Sequence, residues 1–90
     1  MTRYFLYILK CNDLTLYTGI STDLKRRIDE HNHSSIGARY TRGRRPVKLV
    51  YSKKFNSRSL ATKEESRIKK LSRSEKTQLI SKHLGKLTQN

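Results

Sequence analysis

The chain reads as an α+β fold: a three-stranded, mainly antiparallel sheet flanked by three helices in the order β-β-α-β-α-α. Three observations predict it. Two short apolar, β-rich runs near the start are separated by turn-forming residues, the pattern of a hairpin. Downstream segments switch to apolar residues spaced three and four apart, the period of a helix packed on one side. Strands and helices do not alternate strictly, which argues against a parallel, doubly wound sheet.

Residues 3–10, "RYFLYILK", form an aromatic and aliphatic run bounded by charge and read as a buried strand. "CNDL" follows, with Asn12 and Asp13 as turn formers, and "TLYTGI" reads as the second strand. A three-residue turn closed by Lys10 and Leu14 would set Tyr7 directly opposite Tyr17. "STDLKRRIDEHN" reads as a helix capped by Ser21, Thr22 or Asp23, with Leu24 and Ile28 as its apolar stripe. Residues 33–46 have no period, contain Gly37, Gly43 and Pro46, and read as a loop. "VKLVYSKKF" is the third strand, with Val47, Leu49 and Tyr51 expected on one face. The next helix, "SRSLATKEESRIKKL", aligns Leu60, Ala61, Glu64, Ile68 and Leu71. Ser72 and Glu75 form a capping box that opens the last helix, with Gly85 expected to end or fray it. The reading is a single domain over residues 1–84 with a short mobile tail at 85–90.

Ninety residues allow one core, and only 33% of them are apolar. Twenty-one Lys and Arg against seven Asp and Glu give a net charge of +14. Such a field calls for a polyanionic partner, nucleic acid first. No stretch is apolar enough to span a bilayer, so no membrane partner is expected, and no signal peptide is recognised. One cysteine, Cys11, excludes an internal disulfide and a cysteine-based zinc site. These features fit a cytoplasmic protein. Oligomeric state is not legible.

Several residues could carry chemistry, and each has a plainer reading beside it. Tyr7 and Tyr17 make two phenols on one patch, or an aromatic pair packing the core. Gly19 lets a phosphate come close, or simply ends a strand. Arg27 and His31 lie four apart on one helix face beside the apolar stripe. Arg27 can fork onto a phosphate and His31 can donate to one or move a proton; the alternative is a solvated basic face. Glu65 could hold Mg²⁺, which takes one or two carboxylates plus substrate phosphate, or it could pair with Lys69. In "GARYTRGRRP", Arg39, Arg42, Arg44 and Arg45 surround Tyr40, a pattern suited to phosphate contacts and base stacking. His33 and His83 show no metal-ligand spacing, and no P-loop, Ser–His–Asp pattern or dinucleotide fingerprint is present.

The order of these residues resembles the GIY-YIG nuclease superfamily, above all its small stand-alone bacterial members. "FLY" (Phe5, Leu6, Tyr7) stands at the first signature triplet and "YTG" (Tyr17, Thr18, Gly19) at the second. "DLKRRIDEH" resembles the helix that carries the family's Arg, here Arg27, and His31 matches a position held by His or Tyr in relatives. "ATKEESRIKKL" resembles the metal helix, with Glu65 best fitting the metal-binding Glu. The first triplet lacks its Gly and Ile, and Thr18 replaces the Ile of the second. The resemblance implies a Mg²⁺- or Mn²⁺-dependent endonuclease that hydrolyses DNA phosphodiester bonds. It would nick, or select structures, with low sequence specificity, in DNA repair or recombination. DNA is favoured over RNA as partner. In this scheme Tyr7, Tyr17, Arg27, His31 and Glu65 are catalytic, and Gly19 with the loop residues 39–45 meets nucleic acid. A non-catalytic nucleic-acid-binding module that retains a vestigial site is the alternative.

Overall fold

The computed structural model describes residues 3–33 and 39–88, excepting the side chains at 39, 40 and 85–88. Three antiparallel strands, β1 (Tyr4–Lys10), β2 (Leu16–Ser21) and β3 (Lys48–Phe55), form one sheet in the order β2-β1-β3. Helix α1 (Leu24–His33) follows the hairpin, and α3 (Arg58–Lys69) and α4 (Arg73–Thr88) follow β3. A single helical turn, α2 (Arg39–Arg42), interrupts the segment expected to be loop throughout. The α+β class and the order of the main elements match the reading of the sequence.

Alternation along β1 builds two cores. Leu6 and Ile8 point to one face and join Val50, Tyr51 and Ile68, with Leu16, Phe55 and Leu79 packed around them. Tyr7 and Leu9 point to the other and join Cys11 and Val47, with Tyr17, Leu24 and Ile28 against them. Helix α3 packs on all three strands and α4 on β3.

The hairpin register differs from expectation. Tyr7 lies opposite Gly19, and Tyr17 opposite Leu9. The connection is five residues, Cys11 to Thr15, because Cys11 N–H donates to the Thr15 carbonyl at 2.9 Å and Asp13 Oδ1 accepts from both the backbone and hydroxyl of Thr15. Leu14 sits in the left-handed region at φ 69°, a conformation that a leucine does not advertise. The slip is two residues, so every side chain keeps its face.

Strand β3 departs from simple alternation too. Ile8 pairs with Tyr51 but Leu9 with Leu49, so Val50 is an extra, bulged residue. The bulge exchanges faces: Val47, Val50 and Tyr51 are buried, whereas Leu49, expected in the core, is 37% exposed. Leu60 is also exposed, leaving Ala61 and Ile68 as the buried face of α3.

The caps follow the sequence. Asp23 Oδ1 accepts from Arg26 N–H at the start of α1, and Ser57 Oγ from Leu60 N–H at the start of α3. Ser72 and Glu75 bond reciprocally, at 3.1 and 3.0 Å, as a capping box requires. Helix α4 does not stop at Gly85 but runs to Thr88; one glycine costs about 1 kcal/mol in a helix and does not by itself end it. Residues 89–90 of the expected tail lie outside the described residues. At the base of the segment before β3, Asn32 and Val47 bond twice, Asn32 Nδ2 to the Val47 carbonyl at 3.2 Å and Val47 N–H to Asn32 Oδ1 at 2.7 Å.

Candidate active site

Four of the five residues singled out for chemistry converge where α1 crosses the Tyr7 face of the sheet. Strand β1 brings Tyr7, β2 brings Tyr17, and successive turns of α1 bring Arg27 and His31. The Tyr7 and Tyr17 rings are 6.3 Å apart, and both lie near the imidazole, at 5.9 and 5.1 Å. They meet diagonally across the hairpin rather than side by side, a consequence of the register.

The central feature is a buried polar chain. Tyr7 Oη lies 3.0 Å from His31 Nε2, and His31 Nδ1 lies 2.7 Å from Thr41 Oγ1. Tyr7, His31 and Thr41 are all essentially sealed from solvent. The Arg27 guanidinium acts on the Tyr7 oxygen as well. Arginine has only donors, so it approaches the phenol on its acceptor side and leaves the O–H to point at Nε2. His31 Nδ1–H then donates to Thr41. Arg27 is itself held by Glu30, Nη1 to Oε1 at 2.9 Å.

Burial sets the protonation states. It pushes the His31 imidazole down to about 4, with the Arg27 charge adding to the effect. It pushes the Tyr7 phenol up to about 12, against the opposing pull of the Arg27 guanidinium. At neutral pH the imidazole is uncharged and the phenol protonated. His31 therefore orients Tyr7 and has no ring nitrogen left for a phosphate, which corrects the expectation that it could donate to one.

Gly19 serves this chain. A Cβ on it would lie 2.6 Å from Tyr7 Oη and 2.8 Å from Cζ, closer than real contacts allow. Tyr7's own phenol fills the space that the sequence reading reserved for a phosphate. The φ of Gly19 is not positive, so close packing, not backbone freedom, accounts for the glycine.

The two glutamates of α3 are distinguished by their surroundings. Glu64 is gripped by Arg67 through both oxygens, at 2.7 and 2.8 Å, and acts electrostatically on Tyr51. Glu65 is close enough to Tyr7 for its charge to raise the phenol's pKa, and its contact is Lys69 Nζ at 3.4 Å. Of the two readings of Glu65, the pair with Lys69 is present, and the carboxylate is near enough to Tyr7 to act on it.

The basic segment divides. Arg44 pairs with Asp13 at 2.9 Å on the hairpin connection. Arg45 donates to the His31 and Glu30 carbonyls at the end of α1. Arg42 is exposed. The side chains of Arg39 and Tyr40 lie outside the described residues. Two of the arginines predicted to meet nucleic acid thus brace the fold, Arg44 at the hairpin connection and Arg45 at His31.

Residues 3–78 match the family profile of the GIY-YIG catalytic domain, which covers most of the chain. The chain belongs to the GIY-YIG family. Among its relatives, a UPF0213 protein of Syntrophus aciditrophicus is 50% identical over 80 residues, covering 89% of this chain and 92% of that one. A UPF0213 protein of the archaeon Natronomonas pharaonis is 46% identical, covering 91% and 95%. Two solution NMR structures share the fold. The UPF0213 protein BH0048 of Bacillus halodurans gives a TM-score of 0.58 at 47% identity, covering 88% of this chain and 83% of that one. The E. faecalis protein EF2693 gives 0.63 at 39%, covering 91% and 86%.

A GIY-YIG domain is a nuclease domain, and the family's chemistry generally uses a divalent metal. The donor set here can be tested against that need. Among the described residues no three His, Cys, Asp or Glu side chains converge, so an all-protein cage is not available in that part of the domain. A partly buried carboxylate such as Glu65 is a donor that suits Mg²⁺, which keeps its waters and draws other ligands from substrate. Among the described residues no helix is long and apolar enough to cross a membrane.

Two members of this GIY-YIG site escaped the sequence reading. Glu30 carried a signal, an Arg–Glu pair at i,i+3. Thr41 carried none: it reaches His31 only because the chain after α1 folds back.

Proposed function

We propose that the protein is a divalent-metal-dependent endonuclease that cleaves DNA phosphodiester bonds with little sequence preference. The observation that carries this reading is the Arg27–Tyr7–His31–Thr41 chain with the Tyr17 ring at its edge. A buried polar chain is an expensive way to fill a small core, and apolar side chains of like shape would serve stability as well. Its value lies in holding phenol and guanidinium groups at fixed positions.

The roles follow from exposure. Tyr7 is 1% exposed and its phenol is held protonated, so it does not take a proton from water. Tyr17 is half-buried and reaches the surface of the same patch. We assign Tyr17 as the phenol that activates water and Tyr7 as the residue that positions it. Arg27, held by Glu30 and Tyr7, neutralises charge growing on the equatorial oxygens. Glu65 would hold Mg²⁺ or Mn²⁺; when bound, the metal supplies charge stabilisation at the scissile phosphate and leaving oxygen.

The test is a supercoiled plasmid incubated with Mg²⁺ or with EDTA, beside Glu65→Gln and Tyr17→Phe. Nicking that requires metal and is lost in both variants, with DNA binding retained, is expected. Nicking that is indifferent to EDTA, or equal in the variants, would sink the proposal. The rival reading, a binding module with a vestigial site, draws support from the Glu65–Lys69 pair and predicts binding without cleavage.

A further inference from the structure

The surroundings of the site are electrically lopsided. Helix α1 with its cap Asp23 carries three Lys and Arg and three carboxylates, and these neutralise one another locally: Glu30 holds Arg26 and Arg27, and Asp29 lies 4.0 Å from His33. Helix α3 with Lys70 carries five Lys and Arg against two carboxylates. Both of those carboxylates lie on the flanks of its buried side, at 100° per residue from the Ala61–Ile68 line. Glu64 closes one flank with Arg67 and Lys53.

Going round α3 the other way, outward from Glu65, the helix presents no acid. It shows Arg58, Lys69 (paired with Glu65), Thr62, Ser66, Ser59, Lys70 and Lys63 in angular order, all exposed. Arg58, Ser59, Thr62, Lys63 and Ser66 line one shallow open groove. Ser59, Thr62 and Ser66 are short enough to let a phosphate backbone come close and can donate to it, and the flanking cations supply the charge. The pattern is complementary to a chain of phosphates and continuous with Glu65.

We propose that this outer face of α3 is a docking track for the backbone of the DNA strand that flanks the scissile bond, and that α1 is not. The inference rests on the proposed site only for its starting point, Glu65. A strand leaving the site runs along α3, so binding is directional across the domain.

Two charge-matched pairs test it by fluorescence anisotropy on a labelled duplex in EDTA, where no cleavage intervenes. Lys63→Gln/Lys70→Gln removes two positive charges from the track, and Lys25→Gln/Arg26→Gln removes two from α1. The α3 pair is expected to weaken binding about tenfold near 0.1 M salt and to flatten the log–log salt dependence by about 2, at roughly 0.9 per phosphate contact. The α1 pair is expected to shift affinity less than about threefold, with the slope unchanged. Lys63→Arg/Lys70→Arg should restore both affinity and slope. Equal losses from the two pairs, or a larger loss from α1, overturn the track, whatever the plasmid assay shows. Absence of metal-dependent nicking with the asymmetry intact leaves the track standing and removes the catalytic reading.

Discussion

Strand β1 serves two different neighbourhoods. On one face Leu6 and Ile8 pack among Val50, Tyr51, Ile68 and Phe55 and have no polar atom of their own in the cluster. On the other, one residue along, Tyr7 sits in a chain of hydrogen bonds running to His31 and Thr41, beside the Arg27 guanidinium. The first face depends on volume and tolerates any residue of similar shape. The second depends on particular atoms, because each partner removed leaves another buried and unsatisfied. Stability of the domain and competence of its site are therefore separable, although they share a strand.

The separation can be broken most forcefully from the apolar side. Ile8→Ala should cost about 4 kcal/mol in transfer and cavity terms, read by urea denaturation, while the folded fraction keeps its nicking rate per molecule. A rate that collapsed with stability intact would merge the two faces. The next effect belongs to the polar side and is a pH dependence. The His31 pKa, about 6.5 when unfolded, is pushed down to about 4 in the fold, so between these values the unfolded state binds the extra proton. The stabilisation is complete above pH 6.5 and is lost as pH falls towards 4, by roughly 3 kcal/mol. His31→Gln should flatten that window; an unchanged slope in the variant would assign it to carboxylates instead.

Gly19→Ala comes third. The added Cβ must push Tyr7 off His31, at about 2 kcal/mol of overpacking, and nicking should vanish although no proposed catalytic atom has been deleted. Activity near wild type would mean that the phenol's placement does not matter. Smallest in stability is Tyr7→Phe, about 1 kcal/mol for the lost hydrogen bond. It sharpens the comparison most, since the packing is preserved and activity should fall at least tenfold.

Much of this was legible in the chain, for identifiable reasons. The strands and helices followed from apolar periodicity, and the capping box at Ser72 and Glu75 formed as written. The hairpin register did not follow, because Leu14 adopts φ 69° without a glycine or asparagine to announce it. Tyr7 and Tyr17 still share a face because the slip is even. The bulge at Val50 was equally silent, since it arises from pairing with β1 and not from local propensity. Tyr7, Tyr17, Arg27 and His31 were readable as a set only because their order resembles that of the GIY-YIG family. Thr41 and the bracing roles of Arg44 and Arg45 depend on a segment folding back, which no local pattern encodes.

The paired bonds between Asn32 and Val47 close the base of that segment. Thr41 and Arg45 are fastened separately to His31, so three ties distant in sequence all end on the last turns of α1. A substitution that loosens any one of them therefore acts at a distance, by displacing the imidazole and through it the Tyr7 phenol.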